Sequence, residues 1–186
     1  TMRAFEQIRV NLALLGVVRP LNVNLIGVGA GYSYVVSGPT HQCYEDISIM
    51  NTLGGISIYS PSDSLSASKI VPLALESTGI KYIRLDAQIL PPLLEQRAEP
   101  KIGSPDFRVF GEGKSESVIV ATGYMTHTAL NALKLSGLTA TVIDLVKLTE
   151  FNEAALLNEL SACKKIVTIE EGFVNCGGLD SIVNNF

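Results

Sequence analysis

Residues 37–63 read SGPTHQCYEDISIMNTLGGISIYSPSD. A turn at 37–39 is followed at once by His41, one of only two histidines in the chain. Apolar residues at helical spacing then predict a helix over 44–53, and a short β-rich run predicts a strand over 55–60. The apolar run 22–28 ahead of the turn predicts a further buried strand. A histidine between a strand with its glycine turn and a helix is where α/β proteins present an acid–base group.

The same alternation of short strands and helices extends in both directions. Asp63 or Ser62 can cap the helix that follows residue 63, and glycines at 79 and 137 are expected to end helices. Strands that alternate with helices imply a mainly parallel sheet covered on both faces. The predicted helices are 1–15, 64–78, 124–137, 152–163 and one near 177–186, and the further predicted strands are 81–85, 117–123, 139–145 and 164–172.

A change in amino-acid composition near residue 86 divides the chain. Residues 86–106 hold four prolines and six charged residues without a sustained period, which favours an extended connection across a surface. The sequence therefore predicts two α/β domains, residues 1–86 and 113–186, joined by a proline-rich linker at 87–112. Because both ends fall inside helical patterns, we expect the chain to be part of a longer polypeptide.

Composition excludes several classes of partner. The 186 residues carry 14 basic and 18 acidic side chains, a net charge of −4, which provides no electrostatic footprint for nucleic acid. The longest apolar stretch, residues 25–36, is too short to span a bilayer, so no membrane partner is expected. Three cysteines without metal spacing suggest free thiols and a cytoplasmic location.

Three other motifs have ordinary explanations. The glycines of GVGAG (27–31) do not fit the dinucleotide fingerprint, and close approach between backbones explains them better. His127 falls in a predicted helix, where a packed or solvated histidine is expected. Glu170 and Glu171 end a strand; they could be catalytic, but a cap and an interdomain hydrogen bond are the commoner uses. On residue patterns alone, His41 stays open between an acid–base group and a structural histidine.

The motifs GPTHQ (38–42) and PSD (61–63), separated by a helix and a strand, resemble the thiamine-diphosphate-dependent transketolases and deoxyxylulose phosphate synthases. The opening TMRAFEQI is similar to the helix that precedes this segment in the synthases. VIVATG, VIDL and VTIEEG are similar to the C-terminal domain of the same superfamily. The resemblance implies a pyrimidine-binding domain followed by a transketolase C-terminal domain, and covers nearly the whole chain.

The resemblance also implies roles for particular residues. His41 matches a histidine that faces the sugar substrate, and is expected to bind a hydroxyl or carbonyl oxygen and to aid proton transfer. Ser37 occupies a position that contacts sugar hydroxyls, and Arg84 corresponds roughly to an arginine that grips substrate phosphate. Thiamine diphosphate and Mg²⁺ would be held mainly outside this chain, because the Gly-Asp-Gly…Asn motif is absent from it. Partners would be a second copy in a homodimer, a diphosphate-binding chain or domain, or both, with a sugar phosphate as substrate.

Two departures keep alternatives open. Ser37 replaces the acid usual before GPTH, and Ala30 stands where the synthases have arginine. These changes weigh more against a deoxyxylulose phosphate synthase than against a transketolase that transfers a two-carbon ketol unit. A non-catalytic subunit or paralogue is the other alternative, whereas GPTHQ does not suit a beta chain of a 2-oxo acid dehydrogenase.

Overall fold

A computed structural model describes residues 2–93, 101–104, 106–111 and 114–185. The first sheet has three parallel strands, and β3 lies in its centre between β1 and β2. Val23 and Leu25 of β1 pack against the same apolar core as the buried Ile56 and Ile58 of β2. The strands are β1 (Asn22–Val28), β2 (Ile56–Tyr59) and β3 (Gly79–Leu85).

Helices accompany this sheet as the sequence predicts. A helical segment over residues 2–18 is 3-10 at Met2–Ala4, α-helical at Phe5–Gln7 (α1), π-helical at Ile8–Leu14 and α-helical again at Leu15–Val18 (α2). The next two helices are α3 (Asp46–Asn51) and α4 (Ser64–Glu76). Asp63 caps α4: its carboxylate accepts from the Ser66 amide at 2.7 Å, and the Ser66 side chain accepts from the Asp63 amide at 3.1 Å.

The second sheet has five strands in the order β4-β5-β7-β6-β8, of which β6, β7 and β8 are mutually parallel. Its strands are β4 (Lys101–Ser104), β5 (Phe107–Phe110), β6 (Ser117–Ala121), β7 (Thr141–Leu145) and β8 (Lys165–Ile169). Its helices are α5 (Tyr124–Ser136), α6 (Glu153–Leu160) and α7 (Leu179–Asn184). The prediction of α/β architecture with mainly parallel sheets is confirmed.

Two details differ from the sequence prediction. The segment 87–112, expected to be a linker, contains β4 and β5, and β5 is hydrogen-bonded antiparallel to β7. Phe107 and Val109 are buried in the shared core, and neighbouring prolines obscured their period-2 pattern. Gly79 does not end α4; it opens β3 with a φ of +115°. Residues 94–100, 105, 112 and 113 lie outside the described residues.

The two sheets are joined directly. The Ser60 amide donates to the Val146 carbonyl at 2.7 Å, and the Leu148 amide donates to the Ile58 carbonyl at 2.8 Å. One apolar cluster runs through both sheets, with Ile58 on one side and Ile143 on the other. These bonds join the carboxyl end of β2 to the residues that follow β7. The carboxyl ends of strands are the edge at which open α/β sheets bind ligands.

The cysteines and the helices bear on the expectations drawn from composition. Cys43, Cys163 and Cys176 are all free of disulfide bonds, as predicted. Among the helices that the structure describes, none combines the length and the apolar character needed to cross a bilayer.

Candidate functional site

His41 lies on a loop that leaves the first sheet after β1 and closes on itself. Gly31 and Cys43 form the neck of this loop: the Gly31 amide donates to the Cys43 carbonyl at 2.7 Å, and the Cys43 amide donates to the Gly31 carbonyl at 3.0 Å. Between them the chain makes two turns, and the second is closed by the His41 amide bonding the Gly38 carbonyl at 3.0 Å. We call residues 29–45 the histidine loop.

The His41 side chain is exposed and makes local contacts. Its Nδ1 lies 3.0 Å from the Thr40 hydroxyl, and its ring meets the Tyr34 ring edge-on with centroids 6.3 Å apart. A buried structural histidine would instead have its ring nitrogens paired inside the core. Ser37 is exposed on the same loop, four residues before His41. The exposed ring does not fit a core-packed structural histidine, and the acid–base role of His41 stays a prediction.

Arg84 occupies a different environment from the one expected for a phosphate-gripping residue. It is 5% exposed, and its Nε donates to Asp46 Oδ2 at 2.8 Å. Its Nη2 lies 3.5 Å from the Cys43 carbonyl, the neck of the histidine loop. Asp46 Oδ2 also accepts from the Tyr82 hydroxyl at 2.9 Å. Arg84 therefore supports the base of the loop through an internal ion pair.

Tyr82 completes this buried group. Burial, together with the neighbouring Asp46 charge, raises the pKa of Tyr82 above its usual value, so the phenol stays protonated and serves as a donor. Sequence reasoning missed Asp46 and Tyr82. The available signal was the placement of Tyr82 and Arg84 two apart on one strand, which puts both side chains on one face.

The glycines of GVGAG pack closely against side chains, where the sequence predicted a close approach between backbones. A Cβ built at Gly27 would overlap the Tyr82 hydroxyl, and one at Gly29, whose φ is +97°, would overlap the Tyr34 ring. The absence of side chains here lets the loop lie against the buried tyrosine. Among the described residues, GVGAG forms a strand end and loop entry and opens no helix.

Replacing Gly27 by alanine is expected to destabilise the fold by about 1–3 kcal/mol, the usual cost of overpacking. The new methyl group would displace the Tyr82 hydroxyl and so weaken its bond to Asp46. Urea unfolding checks this, with Gly54→Ala as the control, because a Cβ at Gly54 meets no atom within 4 Å. Equal stability of the Gly27 variant and the parent would contradict the packing role.

The remaining candidate residues have structural partners. Glu170 Oε1 accepts from the Asp180 amide at 3.1 Å, in the first turn of α7, and Glu171 Oε1 accepts from the Tyr32 amide at 3.3 Å. These are the cap and the interdomain hydrogen bond predicted as the commoner uses of the pair. His127 Nε2 lies 2.7 Å from the Ser62 carbonyl, which agrees with the packed interpretation.

The side chains present do not fit a magnesium–diphosphate site. Across the residues that the structure describes, no group of three or more His, Cys, Asp and Glu side chains could hold a metal ion. Asp46, Asp63 and Asp144 are instead bonded to arginines. The described residues therefore combine an exposed histidine on the histidine loop with no cluster of ligands for a metal.

Comparison with known proteins finds two family models that together match most of the chain. The transketolase pyrimidine-binding domain matches residues 1–92, and the transketolase C-terminal domain matches residues 109–185. The chain is 32% identical to a subunit of the apulose-4-phosphate transketolase of Actinobacillus succinogenes, over 97% of the chain and 57% of that protein. It is 26% identical to human transketolase, over 98% of the chain and 29% of that protein.

A solved structure supports the same comparison. A split gene transketolase, described as an inactive beta4 tetramer, superposes with a TM-score of 0.78 and 32% identity. The superposition covers 98% of this chain and 57% of that one. The chain thus spans little more than half the length of the apulose-4-phosphate and split gene relatives.

Proposed function

Since the chain belongs to the transketolase family, we propose that it supplies the pyrimidine-binding and C-terminal portion of a transferase that moves a two-carbon ketol unit between sugar phosphates. The observation that carries this proposal is the exposed His41 on a loop anchored at both ends. An exposed imidazole on an anchored loop can meet a substrate without losing core packing.

The chemistry assigned to His41 is hydrogen bonding and proton transfer at a sugar oxygen. An imidazole titrates near neutral pH, so one ring nitrogen can accept a proton while the other donates. Thr40 contacts Nδ1, which leaves Nε2 for a substrate hydroxyl or carbonyl oxygen. Ser37, exposed on the same loop, would contact a further hydroxyl. Arg84 supports the loop neck, and its buried contacts do not favour the phosphate-binding role first expected of it.

Thiamine diphosphate is the cofactor of this proposal, and it supplies the carbanion chemistry when bound. The described side chains do not fit Mg²⁺ and the diphosphate, so the proposal assigns those groups to a complementary portion or partner chain. Two relatives are described as a transketolase subunit and as a split gene transketolase, which supports a partner of this kind. A homodimer, a diphosphate-binding partner, or both, and a cytoplasmic location remain part of the proposal.

The two alternatives are a deoxyxylulose phosphate synthase and a non-catalytic subunit, and residues of the histidine loop bear on both. A deoxyxylulose phosphate synthase would need an arginine at position 30, and here Ala30 is buried, so the position lacks both the charge and the exposure. Ser37 and Ala30 favour a non-catalytic subunit, whereas the retained and exposed His41 favours the catalytic proposal.

The purified chain alone is expected not to bind thiamine diphosphate tightly, because most of the charge of that cofactor is on the diphosphate, and the described residues hold no cluster of metal ligands for it. Isothermal titration calorimetry with thiamine diphosphate and Mg²⁺ tests this. No heat of binding below about 10 µM cofactor is expected, which corresponds to a binding free energy weaker than about −7 kcal/mol. Submicromolar binding by the chain alone would overturn the two-portion arrangement.

A further inference from the structure

The C-terminal domain contacts the histidine loop at its neck through Glu171. This residue follows β8, and its Oε1 accepts a hydrogen bond from the Tyr32 amide at 3.3 Å, across 139 residues of sequence. Gly31, next to Tyr32, has a φ of +54°, and a Cβ there would overlap the Glu171 carboxylate. The neck therefore depends on a glycine both for its backbone conformation and for the approach of Glu171.

A second contact reaches the loop through aromatic rings. Phe173, two residues after Glu171, meets the Tyr44 ring edge-on at 5.5 Å, and Tyr44 lies 4.9 Å from the Tyr32 ring. The Tyr44 hydroxyl donates to Gln42 Oε1 at 2.9 Å. Gln42 adjoins His41, so this series of contacts leads from the C-terminal domain to the residue beside the histidine.

The two contacts form one unit, which we call the clasp: Glu171, Phe173, Tyr32 and Tyr44. Glu171 is half-buried; burial raises the pKa of its carboxyl, while the Tyr32 hydrogen bond and the Arg84 charge act in the opposite direction. Keeping a carboxylate in such a place has a desolvation cost that a solvated surface acid avoids. The hydrogen bond from the Tyr32 amide offsets part of that desolvation cost and links Glu171 to the histidine loop.

We propose that Glu171 and Phe173 are positioning residues, through which the C-terminal domain fixes the conformation of the histidine loop and so the position of His41. The inference rests on the proposed role of His41 in ketol transfer, and it goes beyond that role by assigning a task to the other domain. A displacement of about 1 Å in a reacting group can lower a rate about a hundredfold. A loop held only at its own neck would leave His41 free to move on that scale.

Hydrogen exchange of the chain without cofactor or substrate tests the clasp independently of activity. Glu171→Ala should speed exchange in peptides that cover residues 31–44 by about tenfold, a change that corresponds to about 1.4 kcal/mol, because the hydrogen bond to the Tyr32 amide is lost. Peptides from α4 should keep the parent rate. Glu171→Gln retains an acceptor oxygen and should restore most of the protection, and Phe173→Leu should show partial loss.

Glu116→Ala is the matched control, since Glu116 forms an exposed ion pair with Lys164 and lies away from the loop. Unchanged exchange of residues 31–44 in Glu171→Ala, or a rise equal to that in the control, would overturn the clasp. If Glu171→Ala fails to fold, Phe173→Leu carries the test, and parent-like exchange of residues 31–44 in that variant would overturn the clasp.

Kinetics in the complex with the diphosphate-binding partner separate positioning from stability. Glu171→Ala should lower kcat about tenfold with little change in KM, and Glu171→Gln should recover most of that loss. A ketol-transfer rate that is unchanged in Glu171→Ala refutes the clasp. A parent complex without any ketol transfer refutes the proposed function instead, and the exchange result then decides the clasp by itself.

Discussion

Replacing Arg108 by alanine should lower the free energy of unfolding by about 3–5 kcal/mol, the cost of removing one partner of a buried ion pair. Arg108 lies on β5, and its Nε donates to Asp144 Oδ2 at 2.9 Å while its Nη1 donates to Asp63 Oδ2 at 3.0 Å. Both carboxylates have fully buried side chains. Without the guanidinium, two negative charges would face each other inside the protein.

The interactions lost in Arg108→Ala lie where the two domains meet. Asp63 caps α4 in the first domain and Asp144 lies on β7 in the second, so Arg108 joins them across the junction. Asp144 would keep hydrogen bonds from Ser62 at 2.6 Å and Thr126 at 2.8 Å. These bonds satisfy oxygen atoms but supply no positive charge, so they offset only part of the cost.

Urea unfolding followed by circular dichroism measures the effect. Arg9→Ala is the matched control, because Arg9 pairs with Glu6 at 2.7 Å in an exposed position, where such pairs contribute about 0–1 kcal/mol. Arg108→Lys should fall between the two variants, since lysine restores charge without the planar fork of donors. If Arg108→Ala lowers the free energy of unfolding no more than Arg9→Ala does, the ion pairs of Arg108 do not stabilise the contact between the two domains, and apolar packing does so instead.

The sequence predicts elements whose pattern is local. β1 begins and ends at the predicted residues, Asn22 and Val28, but it is an edge strand with no buried residue, whereas the sequence predicted a buried strand. α5 ends one residue before Gly137, which adopts the left-handed conformation with a φ of +69°. In both cases the decisive interactions lie within a few residues of one another.

Long-range pairing accounts for what the sequence did not predict. β5 becomes a strand by pairing with β7, a partner far along the chain that no local signal marks. The same reason hides the identity of two partners: Tyr32 lies 139 residues from Glu171, and Arg84 lies 38 residues from Asp46. His41 could be found because a turn, a histidine and a helix stand together in the chain.

Removing the His41 side chain should lower the turnover of the complex by at least about tenfold, since positioned acid–base groups contribute about 10²–10⁴ in rate. The melting temperature should stay close to that of the parent, because the ring is exposed and its contacts, with Thr40 and Tyr34, are on its own loop. His41→Ala is to be assayed with ketose phosphate donors in the complex with the diphosphate-binding partner.

His127→Ala is the matched control, because the chain has a second histidine in the opposite situation. His127 Nε2 bonds the buried Ser62 carbonyl at 2.7 Å, and its loss leaves that group unpaired at a cost of about 1–3 kcal/mol. The control should therefore melt lower while turnover per folded molecule is retained. If His41→Ala behaves like His127→Ala, with lower melting and intact turnover, then His41 is a structural residue. The ketol-transfer proposal would then lose the observation that carries it.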